Sequence, residues 1–567
     1  MEMPIEVTPD RAGHVVLQTA DAACELPISE TATLPGVISQ RACALYGARW
    51  MLAAIKDVIH LVHGPVGCAY NAGTVRRKSY QVFTTGLDEQ DVIFGGRGKL
   101  ARSIEEAVRL RPGAQGVMVY VTCTAALIGE YVEAVCREAT VRLGIPVAQV
   151  NCPGFCGVGQ GQGQDAGAAT LLEFFIGRET GDVQRDTVNL LGEFDVQGDL
   201  REIEKLLSHF GLKILCAVSG RATVENLGRA HLVALNVVHC RRTGQAMADV
   251  MEQNYGTPQL KASFFGLAET AKSLKEIADF FGFAEAAEWI EEQEAVAREK
   301  AAPYVKSLTG KRVALFFGAS RMGSMAKAFQ ELGLEMVLAG SQFGCQGDYQ
   351  EVKRCSGGGT VFIDDANERE LSEFLHRHKP DLLVGGTREK YLAHKLGIPF
   401  LIFPQETSAF AGFTGFVNLA RDTAALLNAP VWRLVQRERQ DSPPQVRVAV
   451  ASREGSLVDS HFGRANSFIV FDLKNGLASE VEVRKTGGAD LNCEDGSARS
   501  SLEDKLALLA DCKAVFCRAA GHCARDLAAA QGLEIIETDA AVESVLADYI
   551  RQHPPSAGTR PGEGVKN

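Results

Sequence analysis

Residues 116–123 read GVMVYVTC and residues 232–240 read LVALNVVHC. Each is a short β-branched run that stops at a cysteine and passes into an amphipathic stretch. The same form recurs in IPVAQVNC (145–152), KILCAVSG (213–220), RVALFFGAS (312–320), EMVLAGSQFG (335–344), DLLVGGT (381–387) and IPFLIF (398–403). Apolar strands of this kind, alternating with helical stretches, are buried on both faces, as in the parallel sheets of βαβ units. The fold class is therefore α/β, built of doubly wound, Rossmann-like modules. Breaks in the pattern place three modules at roughly 42–205, 206–305 and 306–436, and the charged helical stretch AEAAEWIEEQEAVAREKAAPYV (284–305) connects the last two. Ligands of such sheets bind at the carboxyl ends of the strands. By position alone, Cys123 and Cys240 face a crevice.

Outside these modules the chain changes character. Residues 1–41 read as an N-terminal extension, and RERQDSPPQ (437–445) as a charged, proline-paired linker. A small α/β domain follows at 446–551. Two alternating strands flank the polar loop in VRVAVASREGSLVDSHFGRANSFIVFDL, and further helices and strands complete it. The Pro/Gly-rich stretch at 552–567 predicts a disordered tail.

The 567 residues are 46% hydrophobic and 23% charged, with a net charge of −11. That balance argues against general affinity for nucleic acid or an anionic membrane. No apolar run is long enough to span a bilayer, and MEMPIEVTPDRAGHVV lacks the layout of a signal peptide. The expectation is a cytoplasmic protein. In that compartment the fifteen cysteines are free thiols rather than disulfides. A lone free cysteine is most often a small buried apolar residue.

GGRGKL (95–100) is not a P-loop, because its lysine is followed by leucine and the first glycine is misplaced. CPGFC (152–156) reads equally as a chelate or as a turn with two buried thiols. HLVHGPVGCAY (60–70) places two histidines and Cys68 around a Gly-Pro turn, and the histidines read as hydrogen-bond partners of that turn. Cys43, Cys68 and Cys123 come from three separate elements. Three thiolates are one short of the usual four for an iron–sulfur cluster, so a cluster here needs a ligand from elsewhere.

Three stretches carry a resemblance to a known family. They are residues 43–100, beginning CALYGARWMLAAIKDVIHLVHGPVGC, the segment LNVVHCRRTGQAMADVMEQNYGTP (235–258), and GGTREKYLAHKLGIPF (385–400). Over about residues 40–436 the chain resembles the nitrogenase component 1 superfamily. The C-terminal segment, with VDSHFGRA (458–465), resembles the ribonuclease H-like cofactor-carrier domain of NifX, NafY and the C-terminus of NifB. The resemblance implies that Cys43, Cys68 and Cys123 ligate a 4Fe–4S cluster at a subunit interface, with the partner completing it. It implies that Cys240 holds the terminal iron of the iron–molybdenum cofactor or its precursor. Arg76, Arg77 and Arg321 match or neighbour basic residues around that cofactor, as suits an anionic cluster and its homocitrate. His461 is implied as the cluster contact of the carrier domain. Cys493, Cys517 and Cys523 are weaker candidates there.

Two positions depart from the catalytic members of the family. TSAFAGF (407–413) puts Ala411 where they carry a ligating histidine, and VGQGQGQ (158–164) gives Gln160 and then Gln164 in place of a second one. A methyl group can neither ligate metal nor move a proton, and an amide is no general acid near neutral pH. The resemblance therefore implies an assembly scaffold without independent turnover. It would pair with a NifN-type subunit in a heterotetramer, receive precursor from a NifB-type donor, work with the nitrogenase iron protein and hand cofactor to apo-nitrogenase. The alternatives are a catalytic α subunit of a nitrogenase or nitrogenase-like reductase, or a carrier acting only through its C-terminal domain.

Overall fold

A computed structural model of the chain describes residues 15–17, 42–73, 81–156, 159–342, 344, 346–403, 407–432, 446–474, 477–486 and 497–553. The chain divides into two compact units, Met1–Trp432 and Arg433–Asn567. The expected linker at 437–445 and the stretch at 554–567 lie outside the described residues.

Among the described residues the first unit contains three sheets. A short strand, β1 (Val15–Leu17), precedes them in the chain. The first sheet joins β2 (Val58–His63), β3 (Phe83–Thr84), β4 (Gly116–Val121) and β5 (Val147–Asn151) in the order β3-β2-β4-β5, all parallel. The second joins β6 (Gln184–Leu191), β7 (Lys213–Val218), β8 (Val233–Val238) and β9 (Gln259–Lys261) in the order β7-β6-β8-β9, again parallel. The third contains β10 (Arg312–Phe316), β11 (Glu335–Ser341), β12 (Val361–Asp364), β13 (Leu382–Gly385) and β14 (Phe400–Ile402). Its order is β1-β12-β11-β10-β13-β14, with β1 an antiparallel edge. The α/β class with parallel sheets is as expected from the sequence.

One expected boundary is corrected. Residue 206 does not open the second module, because β6 lies upstream of it and is central in that sheet, bonded to both β7 and β8. QRDTVNLL begins with polar residues that stay at the surface, so only its last four residues carry the apolar signal of a strand.

The pleat explains how the sheets are buried. Val58 and Val62 of β2, with Met118 and Tyr120 of β4, enter one apolar cluster. The intervening Ile59, Leu61, Val117, Val119 and Val121 enter another on the opposite face. Successive side chains of a strand point to opposite faces, so a sheet covered on both sides needs apolar residues at every position. In β10, Val313 and Leu315 face one core while Ala314 and Phe316 face a second. The stretch expected to connect the last two modules forms the helix Ala286–Leu308, which packs along the helix Gly412–Leu427.

The second unit holds one five-stranded sheet of β15 (Val446–Val450), β16 (Ser467–Lys474), β17 (Leu477–Lys485), β18 (Ala514–Cys517) and β19 (Glu534–Glu537). The order is β17-β16-β15-β18-β19. β15 pairs antiparallel with β16 and parallel with β18. Two apolar clusters again cover its two faces. No helix among the described residues is long and apolar enough to cross a membrane.

Candidate cluster and cofactor sites

Four cysteines singled out in the sequence share one local geometry. Cys43 caps the helix Ala44–Leu52, and Cys68 sits in the first turn of Val66–Gly73. Cys123 opens the short helix Cys123–Leu127, and Cys240 caps Arg241–Tyr255. Three of them closely follow the carboxyl end of a strand: β2 before Cys68, β4 before Cys123 and β8 before Cys240. A helix N-terminus carries partial positive charge from its unbonded N–H groups and favours a thiolate there.

Cys43, Cys68 and Cys123 are brought together and are all half-buried. Burial pushes the Cys68 thiol up, and the neighbouring Cys123 and Cys43 push it the same way. Gly154 fits between the other two: its N–H donates to Cys123 Sγ at 3.1 Å, and a Cβ on it would meet Cys43 Cβ at 2.8 Å. Among the described residues no three His, Cys, Asp or Glu side chains form a group that could hold a single metal ion. A cluster makes no such demand, because each thiolate takes a different iron. Three half-exposed thiols that repel one another as anions fit one face of a cluster. The exposed apolar side chains Val66 and Tyr70 flank Cys68 in the chain, and exposed Phe155 follows Gly154.

The histidines of the opening turn are internal. His60 Nδ1 lies 2.9 Å from Tyr120 Oη and its Nε2 3.2 Å from the Ile55 carbonyl. His63 bonds Thr85 through Nδ1 and Glu130 through Nε2. Cys152 is buried, with Sγ at 3.4 Å from the Val121 carbonyl, and burial pushes its thiol well up. Cys152 is thus a core thiol. The Cys156 side chain lies outside the described residues.

Cys240 lies apart, buried between the second and third modules. Its Sγ is 3.0 Å from Ser320 Oγ and 3.4 Å from Thr243 Oγ1. Gly192, at φ +88°, lets the backbone pass close, since a Cβ there would come within 2.5 Å of Cys240 Cβ. Arg321 is buried beside it, donating to the Gly192 carbonyl at 2.6 Å and to Glu193 Oε2 at 3.2 Å. Its guanidinium stacks over Phe194 and Phe265 at 4.7 and 5.4 Å. His239 Nε2 is 3.4 Å from Glu193 Oε2. Burial, followed by the nearby Arg321, holds that imidazole well below its usual range.

Ala411 closes this wall. It is fully buried, bridges Phe265 through the backbone and caps the helix Gly412–Leu427. Asp199 accepts the N–H groups of Phe410 and Ala411 at 2.7 and 2.9 Å. Burial, with the charge of Glu193 second, pushes the Asp199 carboxyl up to about 6. Gln160 opens the helix Gln160–Phe174, which packs on the helix behind Cys240. There Arg242 pairs with Asp165. Gln164 is buried with Oε1 lacking a hydrogen-bond partner among the described residues. Glu193, Asp199, His239 and Ser320 were not among the residues expected from sequence. Glu193 would have been found by the strand-end rule had β6 been recognised. Arg76 and Arg77 lie outside the described residues.

In the C-terminal unit His461 caps a 3₁₀ turn, its Nδ1 accepting the Gly463 N–H at 3.1 Å. Cys517 is buried at the end of β18, and its thiol is pushed up to about 11, chiefly by burial. Cys523 is exposed, and Cys493 lies outside the described residues.

Parallel doubly wound modules, thiols at helix N-termini and a buried Cys240–Arg321 neighbourhood define an α/β protein with thiol-bearing sites at the ends of its strands. Residues 43–428 match the family described as nitrogenase component 1 type oxidoreductase, and residues 444–552 match the one described as dinitrogenase iron-molybdenum cofactor. The chain belongs to the nitrogenase component 1 family and carries a C-terminal domain of the second kind. It is 38% identical to the nitrogenase iron-molybdenum cofactor biosynthesis protein NifE of Methanococcus maripaludis, over 73% of this chain and 88% of that one. It is 37% identical to a nitrogenase molybdenum-iron protein alpha chain of Methanothermobacter marburgensis, over 76% and 97%. Among solved structures, nitrogenase Cp1 at pH 5 superposes with a TM-score of 0.70 at 28% identity, over 77% of this chain and 98% of that one.

Proposed function

We propose that the chain is a NifE-type scaffold on which the iron–molybdenum cofactor of nitrogenase is assembled and from which it is released. The observation that carries this reading is the pair Cys240 and Ala411. Cys240 offers a buried thiol at a helix N-terminus beside Arg321, and Ala411, bridged to Phe265 under that arginine, offers only a buried methyl group. Cargo held by one exchangeable thiolate leaves more readily than cargo fixed by thiolate and imidazole together. The fused carrier-type domain supports the same reading.

In this function Cys43, Cys68 and Cys123 hold a resident 4Fe–4S cluster with ligands completed by a NifN-type partner, and the exposed Val66, Tyr70 and Phe155 fit that contact. Such a cluster would supply electron transfer. Cys240 binds the precursor as cargo, Arg321 offsets its negative charge, and Gln160 and Arg76 belong to the surrounding shell. His461 contacts cargo in the C-terminal domain. The iron protein, a NifB-type donor, homocitrate and the apo-nitrogenase acceptor are the remaining participants.

The test is to co-express the chain with a NifN-type partner and purify the complex without oxygen. Iron, molybdenum and acetylene reduction with the iron protein would then be measured, together with activation of cofactor-less nitrogenase. The expected result is iron-rich protein that activates the apo-enzyme and reduces little acetylene itself. Fast acetylene reduction would overturn the scaffold and establish the second reading, an α subunit, which the alpha-chain relatives favour.

A further inference from the structure

In the C-terminal unit the turn at His461 is pinned to the ends of two neighbouring parallel strands. The Ser460 N–H donates to the carbonyl of Ala451, which follows β15, at 3.3 Å. The N–H of Arg518, which follows β18, donates to the Ser460 carbonyl, and the Phe462 N–H donates to the Ala519 carbonyl, both at 2.9 Å. The turn therefore lies at the carboxyl ends of β15 and β18, where α/β sheets take their ligands.

A backbone donor fixes the tautomer of His461. The Gly463 N–H points at Nδ1 and can only donate, so Nδ1 keeps its lone pair. The proton of the neutral ring then sits on Nε2, which has no partner among the described residues. An imidazole that ligates metal through Nε2 carries its proton on Nδ1 and donates it to a neighbour. Here another donor occupies that place. The ring thus presents an N–H group, which meets an anion rather than a metal ion.

Lys505 brings charge to the same turn. It is 4% exposed, and its Nζ donates to the Gly463 carbonyl at 2.6 Å. That bond uses one of the three donors of an ammonium, and no carboxylate pairs with it among the described residues. The carboxylates of the adjoining loops are engaged elsewhere. Asp459 accepts the Arg453 N–H and the Ser460 hydroxyl, and Glu537 accepts the Ala520 N–H and Arg525. Burial alone holds the Lys505 ammonium below its usual range. A buried cation without a counter-ion is unfavourable, and an anion resting on this turn would supply one.

We propose that the C-terminal unit takes its cargo as an anion, through hydrogen-bond donation from His461 Nε2 with Lys505 as the counter-charge under the turn, and not through an iron–imidazole bond. The proposal rests on the reading of this unit as a cargo carrier. It separates the two sites of the chain by chemistry: Cys240 offers cargo a bond to iron, and His461 offers a hydrogen bond to its sulfides or carboxylates.

The experiment uses the full chain with its partner subunit, purified without oxygen and carrying Cys240→Ala, so that the C-terminal site is the one under test. Isolated iron–molybdenum cofactor is the probe, titrated against this parent and against His461→Ala, His461→Gln and Lys505→Met on the same background. Pulsed EPR of the loaded parent should show no nitrogen hyperfine coupling of a bonded imidazole. His461→Ala and Lys505→Met should each weaken binding at least about tenfold, as loss of a hydrogen bond to a charged group does. His461→Gln, which keeps an N–H donor, should retain most of the affinity. Lys505→Met should leave the melting temperature of the cargo-free protein unchanged or higher. Free homocitrate displacing the probe would assign the contact to its carboxylates, and no displacement would assign it to the sulfides. A bonded-imidazole coupling that vanishes in His461→Ala would overturn the proposal. So would unchanged affinity in Lys505→Met, or failure of that variant to fold, since the lysine would then serve the fold alone. A parent that binds no cofactor would instead overturn the carrier reading on which the proposal rests.

Discussion

Asp199 joins the second and third modules through a single side chain. Its carboxylate accepts two buried backbone N–H groups from the segment ending in Ala411. Asp199→Ala leaves both donors unpaired and should destabilise the protein by about 2–5 kcal/mol, read by chemical denaturation. Asp199→Asn keeps an acceptor and should cost much less. The pH dependence separates them further. Asp199 titrates at about 6 in the folded chain against 3.8 in an ordinary carboxyl, so the native state holds a proton that the unfolded state has released. Its contribution to stability is full below pH 3.8 and is lost as pH rises through 6. Asn at this position should flatten that slope, which melting curves between pH 4 and 7 would show. At this scale the sequence was partly legible. Cys240 lies in a recognisable motif, whereas Asp199 and Glu193 are ordinary acidic residues whose importance comes from burial, which spacing does not encode.

Among the elements, the helices Ala44–Leu52 and Gln160–Phe174 pack unusually closely. A Cβ on Gly163 would overlap the backbone carbonyl oxygen of Ala44, and one on Gly47 would overlap that of Gln160. Backbone cannot yield as a side chain can, so Gly163→Ala should cost roughly 1–3 kcal/mol or more and displace the cap at Cys43. Melting temperature and iron content would both fall. Gly98→Ala is the control: a Cβ there meets nothing, and the exposed helix should gain about 0.5–1 kcal/mol. The glycines of VGQGQGQ resemble a flexible loop in the sequence. In the structure Gly159 caps a helix, Gly161 makes room for Arg242, and Gly163 lets a helix more than a hundred residues away in the chain approach. The strands that were legible, such as β4 and β8, are apolar along nearly their whole length, Asn236 being the polar exception in β8. β6 was missed because half of it is not.

For the whole molecule, the two compact units have separate apolar cores. Residues 444–553 expressed alone should therefore fold and unfold cooperatively. Scanning calorimetry of the full chain should show a transition at the same temperature, and an isolated unit without one would contradict this. The division into a large body and a small α/β domain was visible in the sequence through the proline-paired, charged stretch between them. The boundary between the first two modules was not, because no such change of composition marks it.

The exposed Val66, Tyr70 and Phe155 beside the three thiols bear on how the chain is kept in a cell. Exposed apolar surface that no partner covers is what chaperones and proteases recognise on an orphan polypeptide. Copies made in excess of whatever covers that rim would be cleared rather than stored. The abundance of this chain would then follow the supply of its counterpart rather than its own rate of synthesis.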